Sequence, residues 1–382
     1  MCMRLPVLLT AGVLTLVPIA SPVTADSGRL VGVSVSVSQG PWRITGDDGH
    51  HRIVYTVGLT NLFPVPLIPE ELWIEDQRGR TLSWLRGDDL RDALTTIYPG
   101  PAPGVIAPSQ TLVAPLDMRA GPRSTAIRHR IEYKVPPGTE LPETLRQTGV
   151  KWSVRSPEAP IRTHVPLSIA PPLRGQGWLN LNACCTDSPH SKARLSTGGT
   201  WQQMERFAID FVQLRGGGQA DGDGSRNSDY FAFGSPIMSA TDGVVVRVRN
   251  NMPDIPPGAE GEDLTSAVQF LGNHVSVRIR AGVFAVYAHM KEGSVRVEQG
   301  DRVRTGQRLG RLGNSGNTTG PHLHFQLSDS PILFGGSALP YVFDRYRRMG
   351  DVTERDDVVS ITGKATRQRN TYPLAIGAYH FR

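Results

Sequence analysis

The chain has 382 residues, 39% of them hydrophobic and 20% charged, which suits two folded domains rather than a disordered protein. The formal net charge of +6 is carried almost wholly by arginine, and no basic run interleaves with aromatic residues, which argues against nucleic-acid binding. The basic excess reads as a solubilising surface, with attraction to an anionic polymer such as a cell wall as the other reading.

Residues 1–25 read as a secretory signal peptide. Arg4 precedes an apolar run, LPVLLTAGVLTLVPIA, that falls short of the span of about 20 apolar residues a bilayer needs. Val23-Thr24-Ala25 supplies the small-residue cleavage site. A retained anchor helix is the alternative, and no later segment reads as a membrane span. The mature chain is expected to be secreted, periplasmic or at the cell envelope. Cleavage leaves Cys184 and Cys185, adjacent in sequence. A vicinal disulfide, a bridge to another chain and buried thiols are all open to them.

The remainder reads as all-β. In residues 26–170, LVGVSVSVSQ, HRIVYTVGLTN, LWIEDQRG, TLVAPLDM, HRIEYKVP and VKWSVRSP are short alternating or β-branched runs. Turn signals at Asp47-Asp48-Gly49, Arg78-Gly79 and Pro136-Pro137-Gly138 separate them, and the spacing predicts an Ig-like β-sandwich. Residues 171–350 form a second unit with strands in FAIDFVQL, PIMSATDGVVVRVRN, NHVSVRIRAG, VFAVYAHM and LHFQLSD. Residues 351–382 read as a polar C-terminal extension without an assignable role.

Ten histidines punctuate the chain. His50, His51, His129, His164 and His380 read as ordinary surface or hydrogen-bonded residues, and His274 as a partly exposed strand position. The informative stretch is GPHLHF, because His322 and His324 share one face of a strand. His289 closes the apolar run VFAVYAHM and adds a third imidazole. A hydrolytic zinc site needs three protein ligands, an open position and a nearby acid or base. Asp210, flanked by apolar residues in FAIDF, is the attractive carboxylate, since a buried Asp must be paired or bind a cation.

From FAIDF through YFAFGSPIMSATDGVVVRV, GNHVSVRI, VYAHM and GDRVRTGQRLGRLGNSGNTTGPHLHFQ, about a third of the chain resembles the lysostaphin/LytM-type zinc endopeptidase family. The resemblance implies an antiparallel β-sheet peptidase domain holding one Zn2+ ion in an open groove and cutting peptidoglycan peptides. It implies Asp210 and His324 as metal ligands, with His289 and His322 as the catalytic histidines. One position departs: the family's usual zinc histidine falls on Arg206, and a guanidinium has no lone pair to give. The best substitute is His190, in SPHSKA, carried back by a long flexible loop at residues 196–200. Arg206 itself would then orient the site or bind a substrate carboxylate. The competing reading is a degenerate domain that binds or regulates another cell-wall hydrolase.

Overall fold

Period-two alternation lets each N-terminal strand put one face into a core and leave the other wet. The computed structural model describes residues 29–98, 100, 103–121, 123–162, 166–185, 188–197, 199–259, 267–355 and 358–382. The expected signal peptide and His164 lie outside these residues. Strands Val33–Thr45, His51–Asn61, Thr111–Arg119 and Thr95–Thr96 form one antiparallel sheet. Strands Ser153–Arg155, Ala126–Lys134, Ile68–Asp76 and Thr81–Arg86 form a second. Val57 and Leu59 from the first sheet and Leu72, Ile74, Ile127 and Ile131 from the second are buried in one core, so the sheets pack face to face. The Thr81–Arg86 strand, TLSWLR, escaped the sequence reading because its residues alternate only between partly and fully exposed.

His129 sits within this core at 0% exposure. Its Nε2 accepts from the Tyr55 hydroxyl at 2.7 Å, and its Nδ1 faces Ser156 Oγ at 3.4 Å. Burial pushes its pKa from 6.5 down to about 4, because a charge there would lose its water. The native state therefore binds fewer protons than the unfolded chain between those two values. His129 contributes stability that is present above pH 6.5 and lost as pH falls towards about 4. Between pH 7 and pH 5 the expected loss from this residue is about 2 kcal/mol. Denaturant midpoints at both pH values, compared with those of His129→Gln, measure it. An identical pH dependence in the variant would refute the assignment.

The rest of the chain builds on a 13-stranded sheet. Along it run, in spatial order, Leu167–Ile169, Tyr341–Arg355, Gly377–Phe381, Gly175–Leu181, Ile209–Gln213, Leu323–Ser328, Val283–Met290, Asn273–Arg280, Gly243–Arg249 and Arg302–Val303. Residues beyond 350 do not stand apart as an extension. Gly377–Phe381 lies between Tyr341–Arg355 and Gly175–Leu181, and its Tyr379 and Phe381 are buried among Phe211, Phe343 and Tyr346. His274 also differs from expectation. It is 2% exposed, because Asn273–Arg280 is an inner strand covered on its flank, and its Nδ1 donates to the Gly272 carbonyl at 2.9 Å. Cys184 and Cys185 are joined as a vicinal disulfide. No helix among the described residues is long and apolar enough to cross a membrane.

Candidate metal centre

Asp210 and His324 stand directly opposite each other on the antiparallel strands Ile209–Gln213 and Leu323–Ser328. Facing residues of a ladder project to the same side, which puts Asp210 Oδ1 3.0 Å from His324 Nδ1. The other ring nitrogen of His324 donates to Gln326 Oε1 at 3.0 Å, and Gln326 is anchored in turn through Nε2 to the Met204 carbonyl. With the Nε2 proton committed to Gln326, His324 would turn an Nδ1 lone pair to a cation seated beside Asp210.

His190 arrives from a different element. It lies in the short helix Pro189–Lys192, whose Ser188 cap and Ser191 side chain satisfy each other's backbone amides. Its Nδ1 donates to the Ala208 carbonyl at 3.3 Å, so Nε2 is free, and Nε2 lies 3.2 Å from Asp210 Oδ2. Gln203 Nε2 ties the helix down through the carbonyls of His190 and Ser191. The connecting segment is not the flexible loop expected. Arg194–Thr197 pairs with Thr200–Gln203 as a β-hairpin, which holds Gln203 under the helix. One donor atom each from His190, Asp210 and His324 lies within 4.8 Å of the others, and all three residues are buried.

His322 and His289 complete the wall. His322, two residues before His324, keeps to the same face, and its Nδ1 donates to the Gly320 carbonyl at 2.8 Å. Its Nε2 lies 3.6 Å from Asp210 Oδ1. His289 needs a backbone device to join them. Ala288 faces His324 across the ladder, so simple alternation would send His289 to the opposite side. His289 instead takes φ +55°, in the left-handed region, which breaks the alternation. Its ring lies 4.6 Å from that of His322 and 5.9 Å from that of His324, with Nδ1 donating to the Ser315 carbonyl at 2.8 Å.

The charges divide sharply. Burial opposes ionisation of Asp210, but the charge on His190 and hydrogen bonds from His190 and His324 outweigh it and hold the carboxyl well below its usual range. Burial likewise opposes charge on His190, yet Asp210 beside it raises the imidazole to about 9. A proton thus occupies the place a cation would take, and cation binding must displace it. Burial lowers the pKa of both His289 and His322, and neighbouring imidazoles add to the effect at His289, so these two stand as neutral bases. Together these residues line a groove of about 310 Å³, with Phe270, Leu271 and Leu333 as its apolar wall.

Arg206 does not enter this groove. Its Nη2 donates to the carbonyls of Tyr55 at 2.7 Å and Leu116 at 2.8 Å, both in the N-terminal half, and the side chain is buried. Neither site orientation by direct contact nor capture of a substrate carboxylate in the groove fits that placement. Asn182, Glu205 and Gln326 are site residues the sequence reading missed. Asn182 Nδ2 donates to Asp210 Oδ2 at 2.8 Å, and Glu205 Oε1 lies 4.0 Å from His324 Nε2. Gln326 alone had a signal, because positions 322, 324 and 326 share a strand face.

The donor set fits one divalent cation. Two imidazole nitrogens and a carboxylate converge, their remaining ring N–H groups are committed elsewhere, and two neutral imidazoles flank them. This is the arrangement of a mononuclear metallohydrolase centre on a mostly β framework. Residues 226–332 match the family described as Peptidase family M23. The match contains His289, His322 and His324 and begins after Asp210.

Among curated proteins, the chain is 36% identical over 102 residues to Peptidoglycan DD-endopeptidase ShyC of Vibrio cholerae, covering 26% of this chain and 19% of that one. It is 33% identical over 103 residues to Peptidoglycan DD-endopeptidase ShyA of the same organism, covering 26% and 20%. The chain therefore spans about a fifth of the length of these relatives. A solved structure of the catalytic domain of the prophage-encoded M23 protein EnpA from Enterococcus faecalis is 22% identical. It covers 44% of this chain and 92% of that one with a TM-score of 0.27, a likeness that carries no functional weight.

Proposed function

We propose that this protein is a secreted zinc metalloendopeptidase that hydrolyses peptide bonds in peptidoglycan stem peptides or cross-bridges. Residues 26–170 form an Ig-like β-sandwich in this reading and residues 171–350 the peptidase unit, whose sheet the strand Gly377–Phe381 completes. His190, Asp210 and His324 hold one zinc ion, and His289 and His322 serve the reaction. The observation that carries the proposal is the convergence of three buried donor atoms within 4.8 Å of one another, beside two imidazoles that are free to act as bases.

When bound, zinc would acidify a water molecule and polarise the scissile carbonyl. The chain's own residues supply the remaining steps. Ser315 and Gly320 carbonyls hold the Nδ1 protons of His289 and His322, so each Nε2 presents a lone pair. Such an Nε2 can accept the proton of the attacking water as a general base. Having taken it, the imidazolium can hydrogen-bond the oxyanion and then pass that one proton to the leaving amine as the C–N bond breaks. Gln326 keeps the His324 ring in its ligating tautomer, and Asn182 orients the Asp210 carboxylate. Phe270, Leu271 and Leu333 form a dry wall on which a peptide backbone can lie.

Purified peptidoglycan incubated with the zinc-loaded full chain is the test. New amino termini should accumulate, and a chelator should stop their release. Failure of the loaded protein to release any would overturn the peptidase reading and favour a regulatory domain.

A further inference from the structure

We propose that the arginine-rich face of the C-terminal strands binds an extended phosphodiester-linked polymer. The register sets the site. Arg345 stands directly opposite Arg369, and Arg347 opposite Arg367, where Tyr341–Arg355 pairs with Thr366–Thr371. Arg347 also faces His380 on its other flank. Like charges facing each other across a ladder cost stability, so two such pairs in succession call for a counter-charge.

The fold supplies one carboxylate for them. With Arg174 and Arg382, these four arginines line a groove of about 800 Å³ in which Asp344 is the one acidic lining residue. Asp344 lies 3.9 Å from Arg345, and both side chains are largely open to water. Arg347, Arg367, Arg369 and Arg382 have no ion pair among the described residues, and the buried Arg347 Nε has no hydrogen-bond partner. Arg348, next in sequence, shows the contrast: it is paired with Asp47 at 3.2 Å and with Asp351.

The geometry selects the ligand. Guanidinium forks match phosphate oxygens two at a time. Arginines two residues apart on a strand sit about 7 Å from each other, and those on neighbouring strands about 5 Å. Two parallel rows of charge suit an extended chain rather than a single anion. Single-stranded nucleic acid would need exposed rings for stacking. The one aromatic lining residue, Tyr346, is buried, with its hydroxyl held by Thr371 at 2.9 Å. The patch is rigidly linked to the candidate metal centre. Tyr341–Arg355 is three strands from Ile209–Gln213 in one continuous sheet, a separation of roughly 14 Å. A polymer on this face would hold the histidine groove against the surface that carries it.

The inference stands on charge and register, not on the peptidase reading, and its test needs no hydrolysis. Lipid-free poly(glycerol phosphate) is titrated into the full chain at several salt concentrations, beside single-stranded DNA of equal charge and vesicles of phosphatidylglycerol. The polymer should bind, and its affinity should fall with salt. The double variant Arg345→Gln, Arg369→Gln should bind about tenfold more weakly, with a salt slope smaller by roughly 2. Its thermal midpoint should hold or rise, because facing like charges have been removed. Hydrolysis of soluble peptides should be unchanged, since neither arginine reaches the histidine groove. The proposal is overturned by any of three results: no polymer binding by the native chain, no loss in the double variant, or equal binding of DNA or vesicles.

Discussion

Replacing His190 with alanine is expected to abolish stoichiometric zinc binding and to slow peptide hydrolysis by roughly a thousandfold or more, since zinc supplies several kcal/mol of transition-state stabilisation. The variant leaves Asp210 and His324 as two donors, one short of the three that catalytic zinc sites use. It should not unfold the protein. The short helix keeps its Ser188–Ser191 cap and its Gln203 tether to backbone carbonyls; the side chain gives up its bond to the Ala208 carbonyl and its 3.2 Å contact with Asp210, which keeps Asn182 and His324 as partners. Metal content after dialysis, a thermal melt and amide hydrolysis are the three readouts. Full zinc occupancy in His190→Ala would remove this residue from the ligand set while leaving the enzyme reading intact. His324→Ala separates the two, because loss of zinc there without loss at His190 would point to a different third donor.

The second large effect is structural. Arg206→Ala should destabilise the chain by about 3 kcal/mol, whereas Arg206→Met, which also leaves the two carbonyls without a donor but keeps the volume filled, should cost about 1 to 2 kcal/mol less than that. Truncation leaves the Tyr55 and Leu116 carbonyls buried without their donor and opens a void between the two halves of the chain. Methionine fills much of that volume and removes a charge whose burial lowers the guanidinium pKa to about 10. Urea denaturation of the three proteins measures the difference. Zinc content and hydrolysis should be unchanged in Arg206→Met, because the side chain points to the N-terminal half and not into the histidine groove. A folded, zinc-replete Arg206→Met that has lost hydrolysis would place Arg206 in the chemistry instead.

Arg206 also illustrates the limit of reading by resemblance. The resemblance suggests a ligand position there. The side chain instead bridges to the N-terminal half through the Tyr55 and Leu116 carbonyls, and Arg194 makes a second such bridge by donating to Thr95 Oγ1 at 2.6 Å and to the Ile97 carbonyl at 3.1 Å. Both bridges flank the helix that carries His190.

Local periodicity carried much of the site on its own. His322 and His324 share a face because a strand repeats every two residues, and the same rule reaches Gln326. Asp210 among apolar neighbours already called for a partner. The short strands of the N-terminal half were visible through alternation and turns, while Thr81–Arg86, at a wet edge, was not. What periodicity cannot carry is register and direction, which long-range packing sets. His289 reaches the groove only through φ +55°, against the alternation of its own strand. His190 reaches it through a capped turn and a hairpin rather than a slack loop. The four arginines at 345, 347, 367 and 369 become a charged face only because two strands align them in facing pairs. Residue types and their spacing show which groups could do chemistry. Which of them meet depends on long-range packing, because those contacts join residues far apart in the chain and form only when the sheets close.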